Sequence, residues 1–138
     1  MDFLTAMTPA QAAAMNIGLL VILMLGLKLY VGGRRGKLRL PSGQTSDEFD
    51  RAVRVQMNAV EDVPALMAGI GALALLGMPA WYIHAAGLVL LVSRIAHAVG
   101  LAGSSGFSIG RVSGTFGTML VYLAVAGALL VHAFTPTH

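Results

Sequence analysis

Residues 51 to 64 concentrate polar side chains within a sequence that is otherwise strongly apolar. Read as a helix, this stretch aligns four of them on one face, three or four residues apart: Arg51, Arg54, Asn58 and Glu61. Guanidinium groups pair well with carboxylates, an amide both donates and accepts hydrogen bonds, and a carboxylate accepts from an amine. The pattern therefore predicts a binding face for an anionic, amide-bearing ligand.

Further charged side chains lie later in the chain, at Arg94, His97 and Arg111. Arg94 and His97 are three residues apart, so a helix places them on one face. Two interpretations remain open. In the first, Glu61 or Asp62 neutralises Arg94 across a helical bundle, which makes the polar face a buried ion-pair network. In the second, an anionic ligand balances the excess of positive charge.

The composition indicates an integral membrane protein. Of the 138 residues, 57% are hydrophobic and 11% are charged, which leaves too little polar surface for a soluble fold. In a bilayer the backbone must form helices or a closed barrel, and long apolar runs without strict alternation favour helices. We predict one domain, an all-α bundle of four transmembrane helices at about 9–31, 47–76, 79–101 and 110–134.

Local signals set these bounds. Thr8 before Pro9 and Ser46 before an acidic turn resemble helix N-caps. Gly32-Gly33 is expected to end the first helix. Small residues of the fourth helix suit close contact with a neighbouring helix, and they include Gly114, Gly117 and Gly127.

Missing residue types narrow the chemistry. The chain has no cysteine, which excludes disulfides, cysteine metal sites and catalysis by a thiolate of the protein itself. The histidines lie on different segments, at positions 84, 97, 132 and 138. No glycine-rich phosphate motif and no nucleophile–base pattern is present. The sequence therefore predicts no metal site.

Basic residues crowd the first loop: Arg34, Arg35, Lys37 and Arg39. Beside a hydrophobic segment, such a cluster reports membrane topology rather than a nucleic-acid surface. The positive-inside rule then predicts that the first and third loops are cytoplasmic and that both termini lie outside. Because residues 51 to 64, Arg94 and Arg111 flank those loops, we expect the candidate site at the cytoplasmic side.

Two motifs resemble those of a known family. R-x-x-R-x-Q-x-N-x-x-E-D-x-P over residues 51 to 64 resembles the second-helix signature of the membrane-associated proteins in eicosanoid and glutathione metabolism, the MAPEG family. R-I-A-H at Arg94 to His97 resembles the third-helix motif of that family. The length, the four-helix layout and the basic first loop also match, as in bacterial members of the short type.

The resemblance implies a homotrimer in a bacterial inner membrane, with glutathione bound as co-substrate between subunits near the cytoplasmic face. The implied activity is that of a transferase or peroxidase acting on an apolar electrophile from the bilayer. The positions implied to contact glutathione are Arg51, Arg54, Asn58, Glu61, Arg94 and His97. Arg111 is the implied catalytic residue, which stabilises the thiolate, and Arg34 or Arg35 matches a base that reaches a carboxylate of the peptide.

Three positions depart from the family pattern: Gln56, Met57 and Leu101 stand where other members carry histidine, arginine and tyrosine. Two other functions therefore stay open. One is a non-catalytic lipid-binding or scaffold member of the same fold. The other is a small ion or proton-coupled carrier that uses Glu61, Asp62 and His97 as relay groups.

Overall fold

The computed structural model describes residues 6–104 and 106–135, and these form four α-helices in sequence. The helices are α1 (Pro9–Lys37), α2 (Asp47–Leu75), α3 (Ala80–Gly103) and α4 (Ile109–Phe134). Each is long and apolar enough to cross a membrane. The protein is therefore an all-helical, four-span integral membrane protein, as the composition predicts.

Side-chain caps fix the starts of the first two helices. Thr8 and Gln11 form a reciprocal capping box at the start of α1, with Pro9 in its first turn. The Ser46 hydroxyl accepts a hydrogen bond from the Phe49 N–H at the start of α2. Both caps satisfy backbone donors that the helix itself leaves free.

The predicted end of the first helix at Gly32-Gly33 was wrong. α1 continues to Lys37, and the backbone turns at Arg39, which has a φ of 50°. Glycine inside a helix costs only about 1 kcal/mol, so a glycine pair does not by itself end a long helix. The other bounds agree with the predicted ones to within two residues.

The basic last turn of α1 packs against the start of α2. Arg34 forms an ion pair with Glu48 at 2.8 Å. The guanidinium of Arg35 lies 4.3 Å from the centre of the Phe49 ring and donates a hydrogen bond to the Pro41 carbonyl. These contacts hold the end of α1 against the first turn of α2, where the polar face of α2 begins.

The packing places α2 and α3 at the centre of the bundle. α1 contacts α2 and α3, and α4 contacts the same two helices. The core consists of aliphatic side chains from all four helices, and its largest fully buried members include Leu20, Ile70, Leu73, Ile83 and Leu90. α2 remains helical across Pro64, which is exposed. Because proline has no N–H, one carbonyl of the preceding turn lacks its helical hydrogen bond, and this carbonyl lies on the same outer side of the helix.

A buried polar pair joins α1 to α3 at the far end of the bundle. Asn16 Nδ2 lies 3.0 Å from His84 Nδ1, and both side chains are buried. The two helices approach closely here, since a Cβ added at Gly87 would lie 2.4 Å from Asn16. This pair is a helix–helix contact, and it fixes the register of α1 against α3.

Glycines bring α3 and α4 into close contact at the other end. A Cβ added at Gly110 would lie 2.6 Å from the Ala96 carbonyl, and one at Gly114 would lie 2.4 Å from the Ser93 carbonyl. Gly127 makes no such contact within the subunit, because among the described residues nothing lies within 4 Å of a Cβ added there. The close approach is thus confined to the half of α4 that carries Arg111.

We expect Gly114→Ala to destabilise the protein, because the added methyl meets backbone atoms of Ser93 and His97 at 2.4 and 2.7 Å. Such overpacking costs about 1–3 kcal/mol. Gly127→Ala is the matched control, and it should be neutral or slightly stabilising because alanine favours a helix. Thermal unfolding in detergent measures both. Equal midpoints for the two variants would contradict the close α3–α4 approach.

Candidate functional site

Three guanidinium groups and one carboxylate meet in a cavity of about 260 Å³ between α2, α3 and α4. This cationic cavity is lined by Asp47, Arg51, Arg54, Asn58, Leu101 and Arg111. α2 supplies most of these residues because positions 47, 51, 54 and 58 fall on one face of a helix. Within residues 6–104 and 106–135, the guanidinium groups of Arg51 and Arg54 make no ion pair or hydrogen bond. The cavity is therefore positively charged and suited to an anion.

A buried ion pair lies next to this cavity. Arg94 of α3 donates to Asp62 Oδ2 of α2 at 2.7 Å, and the exposed fractions of the two side chains are 3% and 31%. The same Nη1 atom donates to the Asn58 carbonyl at 3.1 Å, and Nη2 donates to the Gly114 carbonyl of α4 at 3.5 Å. Tyr122 of α4 donates to Asp62 Oδ1 at 3.2 Å. One guanidinium and one carboxylate thus join three helices.

The ion pair borders a second cavity, of about 180 Å³. This polar cavity is lined by Asn58, Asp62, Arg94, His97, Thr115, Thr118, Met119 and Tyr122. Arg94 Nε is buried and has no hydrogen-bond partner among the described residues. A cavity with these donors and acceptors, and of this size, is roomy and polar enough to hold water molecules, which would satisfy Nε.

An apolar groove opens beside both cavities. It has a volume of about 550 Å³ and runs along α4 from the loop before it: His97, Gly106, Phe107, Ser108, Arg111, Val112, Thr115, Phe116 and Met119. Its exposed aromatic side chains, Phe107 and Phe116, belong to the large apolar surface of a membrane-spanning bundle. An apolar molecule can therefore enter this groove from the lipid.

Arg111 lies where the cationic cavity and the apolar groove meet, since it lines both. It is located two residues into α4, and its Nη1 donates to the Gly106 carbonyl at 2.8 Å. The glycine contacts between α3 and α4 set this position, because a Cβ added at Gly100 would lie 2.6 Å from the Arg111 N atom. Arg111 is thus a cation on the border between an ionic and an apolar environment.

The residues singled out in the sequence separate into three groups. Arg51, Arg54, Asn58 and Arg111 line the cationic cavity, whereas Arg94 and His97 line the polar cavity. Glu61 lines none of the three spaces and is exposed on the outer face of α2. Of the two acids proposed to neutralise Arg94, it is Asp62 that pairs with it.

Two titratable residues that line these spaces were missed in the sequence. Tyr122 is three helical turns after Arg111, so the spacing indicates that both lie on the same face of α4. Tyrosine in an apolar segment is common at helix contacts, however, and the spacing alone does not distinguish that role. Asp47 was interpreted only as an acid that favours the start of a helix. Its position four residues before Arg51, on the same face, was the signal for its place in the cationic cavity.

Arg34 and Arg35 lie outside these three spaces. Within one chain, Arg34 pairs with Glu48 and Arg35 stacks on Phe49. These contacts hold both bases at the start of α2, so within a single subunit their side chains join the end of α1 to α2.

A comparison with family models matches residues 13–131 to the MAPEG family. The match covers α2 and α3 in full, α1 and α4 except for their outer ends, and every residue of the cationic cavity, the polar cavity and the apolar groove. A search of the curated proteins gives no match.

We expect Asp62→Asn to destabilise the protein strongly, because it leaves the buried Arg94 charge without its carboxylate partner. The loss should reach about 2–4 kcal/mol, somewhat less than for a fully buried pair since Asp62 is partly exposed. Tyr122→Phe removes one hydrogen bond and should cost about 1 kcal/mol. Thermal unfolding in detergent gives the comparison.

The double variant Asp62→Leu with Arg94→Met is the control for this experiment. It removes both charges together, so it should recover a large part of the stability lost in Asp62→Asn. If Asp62→Asn alone unfolds at the temperature of the unmodified protein, the pair does not have the structural role described here.

Proposed function

The chain belongs to the MAPEG family, and from this premise we propose that it is a glutathione-dependent transferase or peroxidase of the membrane. The co-substrate is glutathione, and the second substrate is an apolar electrophile that reaches the site from the bilayer. The family includes glutathione transferases and peroxidases as well as other members, so the proposal depends on the site of this chain.

The position of Arg111 is the observation that carries the proposal. A conjugation of this kind joins a charged, water-soluble thiol to a molecule dissolved in lipid. The reacting atoms must therefore meet at a border between ionic and apolar surroundings. Arg111 lines the cationic cavity on one side and the apolar groove on the other, which gives such a border a fixed positive charge.

Different residues bind the peptide and stabilise the thiolate. Arg51, Arg54 and Asn58 bind the carboxylates and amides of the peptide by charge-assisted and neutral hydrogen bonds. Arg111 stabilises the thiolate over the thiol, because a nearby cation favours the charged form, and the proton leaves to water. The thiolate sulfur then forms a bond to the electrophilic atom while the leaving group departs with the bonding electrons.

Arg94 and His97 support the ligand site from the polar cavity. The Arg94 guanidinium is bound to Asp62 and to the Asn58 carbonyl, so it fixes the turn of α2 that presents Asn58. His97 lines both the polar cavity and the apolar groove, next to Arg111. Both residues then support the ligand from behind the cationic cavity rather than from its open side.

We further propose that the site is completed by a second copy, in a homotrimer. Arg54 and Glu61 are exposed on α2, and a charged side chain facing lipid is costly. The nearby exposed positions of the same helix, Ala65 and Ala68, are small, as at helix contacts in membranes. The cationic cavity of about 260 Å³ is also below the usual size of a ligand site, about 300–1,000 Å³.

The proposed orientation places the α1–α2 and α3–α4 loops in the cytoplasm of a bacterial cell. The exposed bases Lys37, at the end of α1, and Arg39, in the loop that follows, support that orientation by the positive-inside rule. The cationic cavity, which begins at the first turn of α2, then opens toward the cytoplasmic side, where glutathione is supplied.

We expect the detergent-purified protein to bind glutathione in isothermal calorimetry and to conjugate it to an aryl halide. Arg111→Ala should lower kcat about 100-fold, in the range found when one donor to a developing anion is removed. Arg111→Lys keeps the positive charge and should retain more activity than Arg111→Ala. The absorbance of the bound thiolate, read as a difference spectrum, should fall in parallel with kcat.

Lys37→Ala is the matched control for these variants, because it removes an exposed base outside the cavity. It should leave both binding and kcat unchanged. Absence of glutathione binding at millimolar concentration would refute the proposed activity. If bound lipid is retained in that case, the non-catalytic lipid-binding function is favoured.

The trimer has its own test. The chain contains no cysteine, so a single introduced cysteine is the only site for a bifunctional thiol cross-linker. Met57→Cys, on the exposed face of α2 between Arg54 and Glu61, should give cross-linked dimers in membranes. Because each chain then has one thiol, a trifunctional cross-linker of the same chemistry is needed to link all three subunits, and it should give trimers. Leu123→Cys, on the exposed face of α4, should stay mainly monomeric. Equal cross-linking from both positions would argue against α2 as the interface.

A further inference from the structure

We infer that Asp47 determines the specificity of the site by binding the ammonium group of the peptide ligand. This inference rests on the proposed function, since it concerns the same cationic cavity. In the sequence, Asp47 has only the role of an acid at the start of a helix. The structure assigns it a second one, because its side chain lines the cavity together with Arg51, Arg54 and Arg111.

The three acids in the first turn of α2 have different surroundings. Glu48 forms an ion pair with Arg34 at 2.8 Å, and Asp50 accepts a hydrogen bond from the Thr45 hydroxyl. Asp47 makes no ion pair or side-chain hydrogen bond within residues 6–104 and 106–135. It therefore presents a carboxylate that is exposed, not committed to another side chain, and located in a cavity.

The charge pattern of the cavity fits a ligand that carries both signs. Three guanidinium groups face one carboxylate, so the complementary ligand has an excess of negative groups and a single cation. Glutathione has this pattern, with two carboxylates and one ammonium group. In its γ-glutamyl end, the ammonium group and one carboxylate are attached to the same carbon atom. Asp47 and Arg51, one helical turn apart, are the pair that matches them.

Glu61 is the acid that the sequence pattern predicts as the acceptor for the amine of the ligand. It is exposed on the outer face of α2 and lines none of the three spaces described above. Glu61 and Asp47 are fourteen positions apart, close to four helical turns, which separates them by about 21 Å along the axis. One ammonium group cannot contact both, so the two assignments are alternatives that an experiment can separate.

The test compares glutathione with N-acetylglutathione, which lacks the cation but keeps both carboxylates and the thiol. Calorimetry on the purified protein should show that glutathione binds about tenfold more tightly, as for a partly exposed charged hydrogen bond. Asp47→Asn should abolish this preference by weakening glutathione alone. Glu48→Gln removes an acid from the same helical turn and should keep the preference, which controls for effects on the helix start.

Each other outcome has a definite meaning. If the unmodified protein binds glutathione with no preference, or if the preference survives in Asp47→Asn, the inference fails while the proposed function stands. If Glu61→Gln abolishes the preference and Asp47→Asn does not, the ammonium group binds at Glu61 and the inference also fails. If neither peptide binds to the unmodified protein, the proposed function and the inference fail together.

Discussion

The buried charge of Arg94 is the constraint on which the rest of the bundle depends. A guanidinium with 3% exposure in a membrane-spanning helix requires partners from the protein, and it takes them from α2 and α4. Such a pair adds little net stability compared with apolar packing, but it is costly to break. Its effect is to specify one register: α2 must present Asp62 and the Asn58 carbonyl, and α4 must present Gly114 and Tyr122.

That register places the remaining residues of the site. With Gly114 against Ser93 and Gly100 against the Arg111 backbone, the start of α4 lies close to α3 and cannot slide along it. Arg111 is consequently held at the border of the cationic cavity, while Arg54 and Asn58 approach from α2. A polar interaction and a steric one thus act together, and neither involves the side chains that we propose to bind the ligand directly.

Much of this arrangement is predictable from the sequence, for identifiable reasons. Apolar segments of membrane length predict the four spans, and helical spacing predicts that Arg51, Arg54 and Asn58 share a face. The choice between Glu61 and Asp62 as partner of Arg94 was not predictable, since the two acids are adjacent and the rotation of α2 against α3 decides between them. The place of Asp47 in the cavity depends in the same way on tertiary packing, which a local cap signal does not report.

The apolar groove makes the apparent affinity for a substrate depend on how strongly that substrate partitions into the bilayer. A molecule that enters it from lipid first partitions out of water, and each added methylene favours that transfer by about 0.8 kcal/mol, or about fourfold. A homologous series of apolar substrates will therefore gain apparent affinity, expressed per aqueous concentration, even when the groove contacts each member equally. When the substrate concentration is instead expressed as a mole fraction in the bilayer, the partitioning contribution cancels. The differences in affinity that remain are those due to contacts with Phe107, Phe116 and their neighbours.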